Sequence, residues 1–215
     1  MPKVIKIARG LGITAVIVMY ALLVHHVNTL GQASTLGASL ALAPIFLLVI
    51  TFACKVESRL AGGCAVLILF AISWLVWPSI KQHTGLIFWV LDIGLMLVLS
   101  MTFGMTLLAG RKPLCVHFAE VINGGMLPPA HETYARKVTV AWVVFFVTIA
   151  IISTLLFFLA PLTIWSFFVN FLTLPLVALM FLGEYMLRRR LLTDLPTGHI
   201  LDAVYAYLDK SERAR

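Results

Sequence analysis

The dominant pattern along the chain is a series of long apolar runs separated by short polar segments, with almost no amphipathic alternation inside the runs. Six runs, Leu11–Leu30, Leu36–Cys54, Ala61–Trp77, Thr84–Ala109, Val138–Ala160 and Leu162–Leu187, approach or exceed the roughly 20 residues that a helix needs to cross a hydrocarbon core. No water inside a bilayer can satisfy open backbone groups, so each run reads as one helical span. The pattern predicts an all-α integral membrane protein with six transmembrane helices. Pro44 and Pro175 fall inside the second and sixth spans and should bend them or free a carbonyl.

Between the fourth and fifth spans the period changes. Pro113 is a favourable first helical residue, and Leu114, Cys115, Phe118, Val121 and Ile122 share one side of a helix that has His117 and Glu120 on the other. Asn123, Gly124 and Gly125 stop it. This predicts a short amphipathic helix in the membrane interface. Domain organisation follows: residues 1–187 form a six-helix transmembrane domain that includes an interfacial segment, 110–137, and residues 188–215 form a basic tail. In the tail Ile200, Leu201, Val204 and Leu208 have the spacing of a second amphipathic helix.

Composition supports this picture: 61% of the 215 residues are hydrophobic and 12% charged, which excludes an ordinary soluble domain. Charge then sets the orientation. Of 16 Lys and Arg, Lys81 alone lies in a segment that would face outward if the N-terminus is cytoplasmic. The others, among them Lys3, Lys6, Arg9, Lys55, Arg59, Arg111, Lys112, Arg136, Lys137 and Arg188 to Arg190, lie on the opposite side. Short basic loops resist translocation, so both termini are expected in the cytoplasm, and the interfacial helix with them. Trp77, Trp89 and Trp165 fall near the expected outer interface, where indoles are favoured. The net charge of +7 is thereby explained without nucleic acid. The first run has a basic flank but no small-residue cleavage site, and reads as a retained helix that also directs insertion. Cys54, Cys64 and Cys115 have neither CxxC nor Cys/His zinc spacing, so no disulfide framework, metal or other cofactor is expected.

Chemistry, if any, should sit at the few polar intramembrane positions. Asp92 lies about 12 Å into the fourth span by helix rise. A carboxylate there costs up to ~3 kcal/mol and should face other helices or water. Ser166, Asn170 and Thr173 recur at i, i+4 and i+7 on the sixth span, with Asn170 at the depth of Asp92. These four residues form the candidate intramembrane polar site, with Asp92 facing the stripe. Two readings compete: a proton-coupled or polar-ligand site, and an interhelical hydrogen bond that fixes packing. His25 and His26 point about 100° apart and cannot serve one metal from one face. A lone histidine can ligate haem, but no second well-placed intramembrane histidine is present. On the cytoplasmic side Arg111, Lys112, His117, Glu120, His131, Glu132, Tyr134 and Arg136 form a candidate interface. Glu132 with Arg136, and Glu184 with Arg188, have the i, i+4 spacing of structural pairs. Neither an HExxH nor an HxxxxD signature occurs, nor a Gly-rich phosphate loop. No catalytic residue can be named, and a non-enzymatic role is expected.

Three stretches, PLCVHFAEVINGG at 113–125, YARKVTVAWVVFF at 134–146 and FLGEYMLRRR at 181–190, with Trp165 and Asn170 between the last two, resemble a family of uncharacterised bacterial inner-membrane proteins. Members of that family tend to be encoded beside acyl carrier proteins, ketosynthases and acyltransferases of aryl-polyene-type lipid pathways. The resemblance implies a bacterial inner-membrane location and a role in making or moving an acylated product. The leading expectation is a non-catalytic accessory or scaffold component whose partners are membrane lipids and an acidic soluble acyl carrier protein or other biosynthetic enzymes. The alternative is a small transporter or flippase for a lipid-like product that uses the intramembrane site, for which a bundle this small would need a homodimer.

Overall fold

The computed structural model describes residues 2–30, 34–56, 58–108, 110–123 and 125–191, the side chains of residues 2–9 and Asn123 excepted. The expected tail helix at 200–208 and the side chains of Lys3, Lys6 and Arg9 lie outside what is described. Among the described residues the fold is entirely helical: α1 (Pro2–Leu30), α2 (Thr35–Ala53), α3 (Arg59–Leu75), α4 (Trp77–Gln82), α5 (Thr84–Met105), α6 (Leu114–Asn123), α7 (Pro129–Leu159), α8 (Leu162–Phe167), a π-helical turn at Phe168–Leu172, and α9 (Thr173–Leu191). Among the described residues five helical stretches are long and apolar enough to cross a membrane: Gly10–Leu30, Thr35–Ala53, Thr84–Met105, Pro129–Leu159 and Leu162–Leu191. Their outward faces are apolar, Leu11 being 67% and Leu159 80% exposed, as lipid-facing surfaces require.

The third expected span departs from the sequence reading. It breaks at Val76, whose backbone (φ −97°, ψ 12°) ends α3 and starts α4. At 17 residues α3 is about 26 Å long, short of the ~30 Å core. The segment after Trp77, expected to be a plain connection, is helical because Pro78 takes a position at the helix start where its missing N–H is not needed. The boundary expected at residue 187 also moves: α9 continues to Leu191 and takes Arg188, Arg189 and Arg190 with it.

The residues group into two compact units. The first comprises the described residues up to Ile93 together with Ser153–Thr173; the second comprises those of Gly94–Ile152 and the described chain from Leu174. In the first, Val24, Ala41, Phe88 and Trp165 form a buried core, with Tyr20, Trp89, Phe157 and Leu162 packed around it. Gly37 allows α2 to approach α1 closely, since a Cβ there would lie 2.6 Å from Val27 Cγ1. Gly62 does the same for α2 and α3, where a Cβ would lie 2.7 Å from the Ala53 carbonyl oxygen. In the second unit Trp142 is 5% exposed, and Phe103, Phe145, Phe146 and Phe181 surround it with ring centroids 4.7–6.0 Å away. Offset and edge contacts of this kind hold a unit together where lipid contact supplies no hydrophobic drive between helices.

Each internal proline leaves a specific trace. Pro44 has no N–H to give the Leu40 carbonyl, and α2 nevertheless runs on; the Tyr20 hydroxyl of α1 donates to that carbonyl at 3.1 Å. Before Pro175 the helix widens by one π turn, in which the Thr173 N–H and hydroxyl both donate to the Phe168 carbonyl. The wider turn accommodates a ring that would otherwise press on the carbonyl four residues earlier.

Candidate functional site

The intramembrane polar residues form two clusters within the first unit, back to back on neighbouring residues of α8. One cluster holds Asp92. Its Oδ2 accepts from the Ser153 hydroxyl at 2.5 Å, and Ser153 Oγ accepts from the Trp165 indole N–H at 3.0 Å. Ser153 is fully buried and Trp165 is 1% exposed. Asp92 is therefore engaged by α7 through Ser153, not by the Ser166, Asn170, Thr173 stripe that the sequence spacing suggested. Trp165 also departs from the interfacial role read from its position: its ring meets Phe157 edge-on at 5.2 Å and its N–H is spent on Ser153. Trp89, one turn before Asp92, stacks on Phe157 at 5.4 Å, and its indole N–H is buried without an acceptor among the described residues.

The other cluster is centred on Ser166, which is fully buried. Its hydroxyl oxygen accepts from Asn28 Nδ2 and Asn170 Nδ2, each at 3.2 Å, and lies 3.2 Å from His25 Nδ1. A hydroxyl has two lone pairs and one proton. With both lone pairs available to the two amides, the hydroxyl ties His25, Asn28 and Asn170 to one point, and which of Ser166 and His25 donates follows the His25 tautomer. Asn170 also donates to the Ser166 carbonyl at 2.8 Å from inside the π turn. The rings of Phe167 and Phe171 lie edge-on to His25 at 6.3 and 5.3 Å. The stripe thus joins α1 through His25 and Asn28; Thr173, by contrast, hydrogen-bonds within its own helix. His26 is exposed.

The second unit holds the other expected residues. Gly110, with φ of 82°, makes the left-handed turn that leads from α5 toward α6. The first amides of α6 have no partners within the helix. The Thr106 hydroxyl accepts from the Leu114 N–H at 3.0 Å, and the Thr139 hydroxyl of α7 accepts from the Cys115 N–H at 3.2 Å. Both Glu120 carboxylate oxygens accept from Lys112 Nζ, at 2.9 and 3.0 Å. Val116, 1% exposed, anchors the buried side, and Phe118 and Val121 of the apolar face are exposed together with His117. The helix is tied down by threonines that reach it from two directions.

Around it, the Tyr134 hydroxyl donates to the Glu184 carbonyl at 3.1 Å, and Glu184 Oε1 is 3.5 Å from Arg188 Nε. Arg188 and Arg189 flank the Tyr185 ring at 5.9 and 5.7 Å. Arg136 does not pair with Glu132: its Nη2 donates to the Leu107 carbonyl at 3.3 Å, and Glu132 has no ion pair among the described residues. The carbonyl near the end of α5 offers a fixed acceptor, which an exposed i, i+4 partner does not. Both ring nitrogens of His131 are buried without a hydrogen-bond partner among the described residues. Burial pushes the Cys115 thiol above its ordinary range; the Thr139 hydrogen bond partly offsets this, and the Glu184 carboxylate adds a smaller upward push.

Sequence reading missed Ser153 and Tyr20. Small hydroxyls in apolar runs carry no distinctive spacing, although Pro44 did signal that a carbonyl near residue 40 would need a donor. Among the described residues no group of three or more His, Cys, Asp or Glu is arranged to hold a metal ion. Comparison with protein-family models, curated proteins and solved structures returns no match.

Proposed function

We propose that the chain is a six-span protein of a bacterial inner membrane with both termini in the cytoplasm, acting as a non-catalytic accessory component of an acyl-lipid or aryl-polyene-type pathway. In this reading α3 and α4 together make the third crossing. The observation that carries the role is the docked α6. Its exposed side presents His117, Phe118 and Val121 within a unit that has seven Lys and Arg against three Glu among its described residues. A fixed basic platform suits an acidic acyl carrier protein, which it would steer electrostatically. The intramembrane polar groups agree with a structural role, because Ser153 and Ser166 are fully buried and their hydroxyls are spent on side chains of neighbouring helices.

The test is capture of an acidic acyl carrier protein by the detergent-solubilised chain. Binding should weaken with added salt and be lost in Arg111→Glu/Lys112→Glu; capture insensitive to both would overturn the role. The orientation is tested separately with a membrane-impermeant maleimide. Cys54, an exposed thiol at the end of α2, should react in inverted vesicles and not in intact cells.

One observation favours a second reading, a lipid transporter or flippase. Asn170 lies in a π turn, and such turns recur at functional sites. Transport that persists in Asp92→Ala and Asn170→Ala variants would dispose of it.

A further inference from the structure

The α2–α3 hairpin is pinned at one end and open at the other. At the loop end Gly62 lies against the Ala53 backbone so tightly that no side chain fits between them. Farther along, Ser39, Ala43 and Phe46 of α2 recur at i, i+4 and i+7 and face Phe70 and Trp74 of α3, with Trp77 at the start of α4. Small Ser39 and Ala43 beside Phe46 on one wall and the large rings on the other leave a half-open groove of about 370 Å³, lined almost wholly by apolar surface. Phe70 and Trp74 stack at 6.4 Å between centroids and give the groove one flat side. Its volume is in the range of small-ligand sites. Trp74 and Leu75 beside it are 76% and 81% exposed, on a surface that can face only lipid or another protein.

A cation stands at the same end. Lys81 lies one turn beyond Trp77 on α4, at i+4, and so on the same side of that short helix. No other Lys or Arg occurs between Arg59 and Arg111, and among the described residues Lys81 has no ion pair. The geometry points to a binding site for one anionic phospholipid, with an acyl chain in the α2–α3 groove and its phosphate on Lys81. Acyl chains gain little by moving from bilayer to protein, because lipid tails are as apolar as the groove. Shape therefore retains the chain, and Lys81 selects the headgroup. This inference needs neither the cytoplasmic orientation nor the pathway proposed above.

The test is native mass spectrometry of delipidated full-length protein with dioleoyl phosphatidylglycerol or dioleoyl phosphatidylcholine added in turn. The first bound phosphatidylglycerol should be favoured by about fivefold, the worth of one surface cation near an anionic headgroup. Lys81→Gln should bring the two lipids to parity, and Ala43→Phe, which fills the groove, should remove the first adduct of both. Equal binding of the two lipids by the unmodified chain would overturn the site, as would an undiminished preference in Lys81→Gln. So would a dimer, without lipid, that Ala43→Phe dissociates, since the groove would then hold a second copy. If Ala43→Phe loses its helical circular dichroism, quenching by brominated-chain phosphatidylglycerol decides. A saturable component that disappears in Trp74→Phe/Trp77→Phe supports the site, and one that remains overturns it.

Discussion

The hydroxyl of Tyr20 on α1 donates to the carbonyl of Leu40 on α2, the carbonyl that Pro44 deprives of its helical N–H. One residue's lack of a donor is met by another residue twenty positions earlier. Tyr20→Phe should therefore destabilise the fold by about 1 kcal/mol, within the usual range for a buried or intramembrane hydrogen bond. In a Pro44→Ala background, where the helix supplies its own donor, the same change should have little effect. Thermal unfolding of the four proteins in one detergent gives the coupling directly, and equal losses in both backgrounds would refute the pairing.

Ser153 serves both as acceptor for Trp165 and as donor to Asp92. Ser153→Ala orphans a buried indole N–H and removes the donor to a carboxylate, for a loss of about 2–4 kcal/mol. Asp92→Asn keeps an acceptor oxygen in place and should cost less. The ranking, read from thermal unfolding, separates a packing bond from a requirement for charge. An activity lost in Asp92→Asn at undiminished stability would instead place the carboxylate in a functional path.

Adjacent glycines on α3 make a controlled comparison. A Cβ on Gly62 would meet the Ala53 backbone at 2.7 Å, whereas one on Gly63 meets nothing within 4 Å. Gly62→Ala should cost about 1–3 kcal/mol, because backbone cannot give way as a side chain can. Gly63→Ala should be neutral or should stabilise by up to about 1 kcal/mol through helix propensity. Similar melting temperatures for the two variants would contradict the close α2–α3 approach.

Cys115 holds its proton more tightly in the folded chain than the ordinary thiol value of 9.0 implies, owing chiefly to burial, with a smaller push from Glu184 against the offsetting Thr139 hydrogen bond. At neutral pH it should react with iodoacetamide more slowly than the exposed Cys54 and Cys64. Above pH 9 the unfolded chain releases this proton before the folded one does, so the group's contribution to stability falls as pH rises. Mass-resolved alkylation rates against pH check the order, and Glu184→Gln should speed Cys115 selectively.

Apolar run length by itself determined that this is a helical membrane protein, and it located the helices Gly10–Leu30, Thr35–Ala53, Thr84–Met105, Pro129–Leu159 and Leu162–Leu191 near their observed positions. Backbone satisfaction in lipid is a local demand, and every residue of a span contributes to it. Local too were the start of α6 after Pro113 and the disturbances at Pro44 and Pro175. Partner choice was not local. Asp92 and Asn170 were matched by depth, but depth says nothing of rotation about a helix axis. Rotation depends on which helices touch and on glycines such as Gly37 and Gly62 that let them approach. Only the tertiary structure assigned Asp92 to Ser153 and Ser166 to His25 and Asn28. Only it showed that threonines at 106 and 139 fix the roll of α6. Periodicity shows which residues share a face; packing decides what that face meets.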